Sequence, residues 1–462
     1  MRPLKTSAAL LTSLTLAGTL CPVMAADPTA STTPAPAASK PDDWGKPAWL
    51  SDLSVGFKES YDSSVFLSSV NPGYYGSAYT IPPGSVKAGE NAWSMVSTVS
   101  PRVGVNFLPW LGDAPGLQTA SLVYAPEVVR YSEQPSENYS AHRVVAALHA
   151  KGDGWAFTGD NAFAYMDGNH FSPTYPGGYV TAWNSVAPRE RRAQYQDRAS
   201  VSLQYDYHQW FFRPTAALLY YDLKTARINV LGYQNYINRY DLNGGADAGY
   251  RLVPGLAATL GYRYGAQYQQ QLAWSPYDAS GTYQRVLLGL EGKPCSWLEG
   301  KIVAGPEFHQ YDSDSATHIT PVSDLNLLTY YGEASLAATL SPQDALTFKY
   351  KQWQWVSSVG KVPYFDSSYD LNYHRKFTRQ LGLDLGGRLL EADYNSGSLP
   401  ACRRNDLQYT VSAGLGYALN THVSLSLAYQ LDLGRNAQDN IPNPETRDYE
   451  RNLVTAGAQC KF

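Results

Sequence analysis

After Leu20 the chain has no stretch approaching the roughly 18 consecutive apolar residues that a membrane-crossing helix needs, so a helical membrane protein is excluded. Cysteine is scarce: Cys21, Cys295, Cys402 and Cys460 are too far apart for a zinc pattern or a disulfide framework. Methionine is equally rare, with four copies. Charge is sparse and no basic excess exists; Asp and Glu outnumber Lys and Arg by 40 to 36, which argues against a nucleic-acid partner. Catalytic signatures are absent as well. The eight histidines are dispersed, and no HExxH, CxxC or glycine-rich phosphate loop occurs. His422 and Ser424 fall on the same chain segment but do not form a nucleophile motif with a third group. No catalytic, metal-binding or cofactor-binding residue is therefore expected.

What is present points outward from the cell interior. Arg2 and Lys5 precede an apolar stretch from Ala8 to Leu20, and Val23-Met24-Ala25 supplies small residues near a cut. Residues 1–26 thus read as a secretory signal. Leu20 before Cys21 does not fit a lipoprotein site. Without Arg2 and Lys5 the formal charge moves from −4 to about −6. Residues 27–50, rich in Ala, Pro, Ser and Thr, read as a disordered periplasmic lead-in. The remainder, 51–462, is one long strand-rich domain.

Its signature is alternation with a period of two. In AQYQDRASVSLQYDY (Ala193–Tyr207), Tyr195, Ala199, Val201, Leu203, Tyr205 and Tyr207 share one face, and Gln194, Gln196, Arg198, Ser200, Ser202, Gln204 and Asp206 the other. Asp197 alone breaks the pattern, consistent with a rim position. Tyr240–Tyr250, Leu407–Leu419 and Val423–Leu433 alternate in the same manner. Such strands exceed the five or six residues usual in a soluble sheet. They match the 9–11 residues per crossing of a tilted membrane strand. The 36 tyrosines suit interfacial girdles, where a ring is half buried and its hydroxyl stays wet.

Connections alternate in length. Short ones are expected near Leu111–Gly116, Gly152–Gly154, His208–Gln209, Leu252–Gly255, Pro294–Trp297, Ser341–Asp344, Thr378–Gln380 and Asn420–His422. Long polar ones lie between them, notably Ser68–Asn91, Met166–Arg192, Asp312–Asn326, Asn395–Asn405 and Arg435–Asp448. Eight short turns predict an all-β, antiparallel up-and-down transmembrane barrel of 18 strands, with 16 as the alternative, and both termini periplasmic. About 16–18 strands leave an aqueous lumen.

By parity, Arg102, Glu127, Arg198, Asp206, Arg213, Arg239, Asp241, Asp247, Arg251, Arg263, Lys349, Lys351, Asp370, Lys376, Asp384 and Arg388 face that lumen. They are candidate pore-lining residues, or braces that hold the wall through paired charges; mixed signs give no ion preference. The loops Met166–Arg192 and Ser68–Asn91 are the candidate constrictions. Tyr74, Tyr75, Tyr79, Trp183, Trp353 and Trp355 are taken as external, as a sugar-stacking track or as girdle and loop packing.

Two resemblances add to this reading. The last strand finishes LVTAGAQCKF, alternating back from Phe462, and resembles the terminal strand that the barrel-assembly machinery reads in outer-membrane proteins. GFKESYDSSVFLSS, Gly56–Ser69, is similar to the opening strand of a family of outer-membrane beta-barrel porins, in which Tyr-Asp-Ser-Asn-Val-Phe is common; Ser64 stands where that pattern has Asn. The Arg-Leu-x-Pro-x-Leu turn at Arg251–Leu256 is also similar. The resemblance spans Leu53–Phe462 and implies a barrel in the outer membrane, contacting lipid and lipopolysaccharide. Some members of that family accompany exopolysaccharide gene clusters. It therefore leaves two solute classes open, small hydrophilic molecules passing by diffusion or a polysaccharide being exported, beside a barrel plugged by its own loops.

Overall fold

A computed structural model describes residues 47–65, 93–112, 116–169, 179–180, 185–186, 192–224, 238–270, 279–312, 326–356, 363–393, 404–438 and 449–462. The segments read as signal and lead-in lie outside them up to residue 46, as do most of the loops Ser68–Asn91 and Met166–Arg192.

Eighteen of the strands form one sheet. In chain order they are β1 (Leu50–Asp62), β2 (Ser94–Asn106), β3 (Leu117–Tyr131), β4 (Tyr139–Gly152), β5 (Trp155–Asn169) and β6 (Arg192–Tyr207). There follow β7 (Trp210–Leu223), β8 (Arg239–Val253), β9 (Leu256–Gln269), β10 (Gly281–Cys295), β11 (Leu298–Tyr311) and β12 (Asn326–Thr339). The last six are β13 (Asp344–Trp355), β14 (Tyr364–Lys376), β15 (Leu381–Asp393), β16 (Arg404–Ala418), β17 (Val423–Gln438) and β18 (Tyr449–Lys461). Each pairs antiparallel with the next, and β1 closes on β18 from Ser54↔Lys461 to Asp62↔Leu453. The fold is an 18-strand closed up-and-down barrel, as the alternation predicted. Hydrocarbon offers backbone groups no partner, so a wall that meets lipid closes into a ring.

All eight short connections fall where the sequence placed them, at one end of the barrel together with both ends of the sheet. Three of the four two-residue turns use positive φ. Gly154 (φ 74°) and Gly255 (φ 88°) supply it without strain, and His208 adopts φ 54° in the two-residue turn between β6 and β7. The first short connection carries a four-residue helix, Leu108–Leu111. At the opposite end β3 and β4 are joined by a single 3-10 turn, Pro135–Glu137, among otherwise long connections.

The polarity of the wall is inverted relative to a soluble protein. Large apolar side chains stand exposed on the outer parity, such as Leu288 (68%), Tyr330 (65%) and Val411 (59%). Their neighbours on the inner parity are polar and buried, such as Thr329 (2%) and Asp241 (4%). Such a wall meets hydrocarbon outside and water inside. Asp197 does lie on the outer parity, hydrogen-bonded by Asn161 at 2.6 Å, five residues from the loop end of β6.

Prolines mark local breaks in the ladder, since each lacks an N–H to donate. Pro101 and Pro126 fall in the gap between Val99↔Val128 and Val103↔Tyr124. Pro306 falls between Arg285↔Glu307 and Leu288↔Ala304. Glycine serves the inner face differently. The Tyr283 ring fills the space where a Cβ on Gly265 would stand, which lets the phenol lie across β9 and reach Asp241 on β8.

Candidate functional site: the inner wall and the inward end of one strand

Direct cross-strand partners share a face, so the register fixes which side chains look inward. Arg198, Asp206, Arg213, Arg239, Asp241, Asp247, Arg251 and Arg263 follow one continuous inward parity through β6 to β9. The same parity carries through β10, β11 and β12 to Lys349, Lys351, Asp370, Lys376, Asp384 and Arg388 on β13 to β15. Arg102 on β2 and Glu127 on β3 share it.

Most of these charges are paired. Near the turn end Arg213 bridges two acids, reaching Asp247 at 3.0 Å and Glu291 at 2.8 Å. Arg263 adds a second contact to Asp247 at 2.7 Å, and Arg251 meets Asp206 at 2.5 Å. Arg102–Asp52 at 2.6 Å, Arg388–Asp370 at 3.1 Å and His374–Asp384 at 2.7 Å continue the pattern around the ring. Arg143 pairs with Glu127. Several of these side chains remain partly exposed to the lumen, so water screens them and each pair contributes little to stability. They make the inner wall wettable while keeping its charges in place.

Toward the loop end the inner wall becomes dry. Arg451 on β18 grips Asp62 on β1 through two bonds, 2.6 and 2.9 Å, and lies 3.5 Å from Asp432 on β17. Asp432 also accepts from Thr410 at 2.7 Å and from Gln430. Arg285 pairs with Glu307, which His309 also contacts at 2.5 Å, all three buried. The Arg285 guanidinium sits 3.8 Å from the Tyr331 ring centroid.

At this end one strand leaves the wall. The β12–β13 ladder stops at Gly332↔Gln352, whereas β13 stays paired with β14 out to Trp355↔Tyr364. Beyond Gln352 the end of β13 leans into the lumen, and Trp353, Gln354, Trp355 and Val356 are all buried. Strands β8 and β9 hold it there. Gln267 donates to the Gln354 carbonyl at 2.9 Å, and Arg239 Nη1 donates to the Val356 carbonyl at 2.6 Å. Trp353 and Trp355 stack with centroids 4.5 Å apart and join Tyr221, Tyr311, Tyr331, Tyr364 and Leu390 in one apolar cluster. Trp353 and Trp355 are thus internal, contrary to the expectation of external positions. Most of the two loops expected to constrict the lumen lies outside the described residues.

Two buried inward arginines stand apart from the paired ones. Arg239, fully buried, packs on Trp355 (4.7 Å) and Tyr221 (5.1 Å), and Arg198 Nη2 donates to the Tyr221 hydroxyl at 3.0 Å. Neither makes an ion pair with a carboxylate among the described residues.

Reading the sequence missed Arg285, Glu307 and His309, and it missed Arg451 with Asp62. Parity counted along β10, β11 and β18 would have found them, since each shares a face with a polar neighbour: Glu291, Lys301 and Thr455. Among the described residues no group of three or more His, Cys, Asp or Glu could hold a metal ion.

No protein-family model and no curated protein matches the chain significantly. Solved structures do show likeness. OpdO of Pseudomonas aeruginosa is 14% identical, with 89% of this chain and 97% of that chain covered and a TM-score of 0.40. OccK11 (OpdR) of the same organism is 13% identical, over 90% and 97%, with a TM-score of 0.39. The siderophore receptor PirA of Acinetobacter baumannii is 7% identical, over 89% and 81%, with a TM-score of 0.40. Likeness of this order leaves function to be read from the wall itself; that wall, a closed 18-strand barrel, is the architecture implied by the resemblance to beta-barrel porins.

Proposed function

We propose that the protein is an outer-membrane channel through which small hydrophilic solutes pass without energy input, with its short turns and both termini in the periplasm. One observation carries this reading: the inverted polarity of a closed 18-strand wall, apolar outside and lined inside by paired charges. A barrel of this strand number encloses more volume than its own side chains fill. The half-exposed pairs Arg251–Asp206 and Arg102–Asp52 line a wettable turn-end vestibule. The inward end of β13 sets the narrow zone near the loop end. Signal-directed export of residues 27–462 and assembly guided by Phe462 belong to the same proposal.

The refolded chain in planar bilayers should give discrete conductance steps, and liposomes carrying it should swell in small sugars and not in large ones. Absence of both steps and swelling would overturn the reading. The dry cluster around Trp353 and Trp355 favours a second reading, a barrel closed until a periplasmic partner or a polysaccharide opens it. That reading requires silent bilayers that become conductive only on addition of such a partner.

A further inference from the structure

Among the described residues four arginines are buried: Arg198, Arg239, Arg285 and Arg451. Two have carboxylates, Glu307 for Arg285 and Asp62 for Arg451. The other two have none among the described residues, although they lie on one patch of the inner wall, on either side of Tyr221. Burying a guanidinium without a counter-charge is costly, and aromatic faces offset only part of it. Asp241, two residues from Arg239 on the same face, is already engaged by Tyr283, Gln267 and Asn243.

The donors left over on Arg239 are specific ones. Nη1 is used by the Val356 carbonyl, while Nε and Nη2 have no acceptor among the described residues. Those two N–H groups are the parallel pair on one edge of a guanidinium, spaced to bridge the two oxygens of a carboxylate. The covering segment is tied to the wall on one side only. Trp353–Val356 is beyond the last β12 partner of β13 and hangs from β14 and from the Gln267 and Arg239 bonds, so it can shift without breaking a β12–β13 ladder bond. The Trp353–Trp355 stack beside the site offers flat apolar faces of the kind that pack against the C–H faces of a sugar ring.

We propose that Arg239, with Arg198 beside it, forms a binding site for carboxylate-bearing solutes, sugar acids above all, at the narrow zone of the lumen. The solute carboxylate bridges Arg239 Nε and Nη2, Arg198 adds the second positive charge, and Trp353 and Trp355 flank the ring. The proposal deepens the channel reading by naming its solute class, and the solute's route to the site rests on that reading.

The test uses the full chain in detergent, titrated with D-glucuronate and, separately, with glucose, while tryptophan fluorescence is followed. Trp355 lies against Arg239, so glucuronate should change the emission saturably and glucose should not; Trp355→Phe should remove most of the change. Arg239→Gln should weaken glucuronate by about tenfold or more, as loss of a charge-assisted pair does. Arg239→Lys, which keeps the charge and loses the fork, should weaken it less. Arg198→Gln serves as a second variant that leaves the Arg239 contacts to Trp355 and Val356 in place. Heat-modifiable gel mobility verifies that each variant is folded. Equal responses to glucuronate and glucose, or an unchanged titration in folded Arg239→Gln and Arg198→Gln, would overturn the site. Because binding is read without transport, silent bilayers with intact glucuronate binding would sink the channel reading alone, and normal conductance without binding would sink this inference alone.

Discussion

Arg451→Met tests how the ring is locked where its first and last strands meet. Arg451 on β18 bonds Asp62 on β1 through Nε and Nη2, and its Nη1 lies 3.5 Å from Asp432. All three side chains are almost fully buried, at 7%, 1% and 3% exposure. Removing the cation leaves two carboxylates facing each other across a dry patch. Breaking a buried ion pair in this manner costs about 3–5 kcal/mol. Asp62 keeps one donor, the Ser64 backbone N–H at 3.0 Å, and Asp432 keeps Thr410 and Gln430. Those remaining bonds put the expected loss at the lower end, about 3 kcal/mol. Adding Asp62→Asn to Arg451→Met removes one of the stranded charges and should return all but about 1 kcal/mol, as replacing both members of a buried pair commonly does. The assay is urea unfolding of the chain in lipid vesicles, followed by tryptophan emission. A single variant within about 1 kcal/mol of the parent, or a double variant no better than the single, would refute the reasoning.

Two further tests address the wall and its assembly. With Cys295, Cys402 and Cys460 replaced by Ser, a cysteine at Ser426 should react with a water-soluble maleimide in vesicles, and one at Leu427 should resist it while its attached fluorophore is quenched by brominated lipid; the reverse pattern would invert the barrel. Deleting Phe462, which stands half exposed beside β1 with its N–H on the Leu53 carbonyl at 2.8 Å, should reduce the amount inserted in cells and leave the conductance of chain refolded in detergent unchanged; equal losses in both would make Phe462 a structural residue instead.

The barrel was legible because one physical rule acts on almost every residue of it. A strand wall between lipid and water imposes period two, and segments such as Val423–Leu433 obey it with hardly an exception. Two of the turns were legible for a second reason: Gly154 and Gly255 announce the positive φ that each adopts there. Face assignment followed from the same parity, so the inward side of Arg213 or Asp247 needed no three-dimensional information. Their partners did. Arg213 on β7 meets Glu291 on β10, and such neighbours come from strand stagger and curvature, to which a period of two is blind.

The inward end of β13 escaped for a deeper reason. Alternation is informative only while one face meets lipid, and from Trp353 to Val356 both faces are buried against protein. Gln354 falls on the outer parity there yet is fully buried, with its amide donating to Tyr311 at 3.3 Å. In a lipid-facing strand a polar residue at such a position reads as a rim, which is why Trp353 and Trp355 looked external. A short run where polar and aromatic residues alternate in the wrong phase at the loop end of a strand is therefore ambiguous between leaving the membrane and entering the lumen. What separates the two is a partner across the lumen able to hold the bent backbone. Here Arg239 and Gln267 provide it by donating to main-chain carbonyls, which any sequence at 354 and 356 would present. The constriction is thus written in β8 and β9 rather than in the strand that forms it, and substitutions at Arg239 and Gln267 should widen the lumen more than polar-for-polar substitution of Gln354 itself.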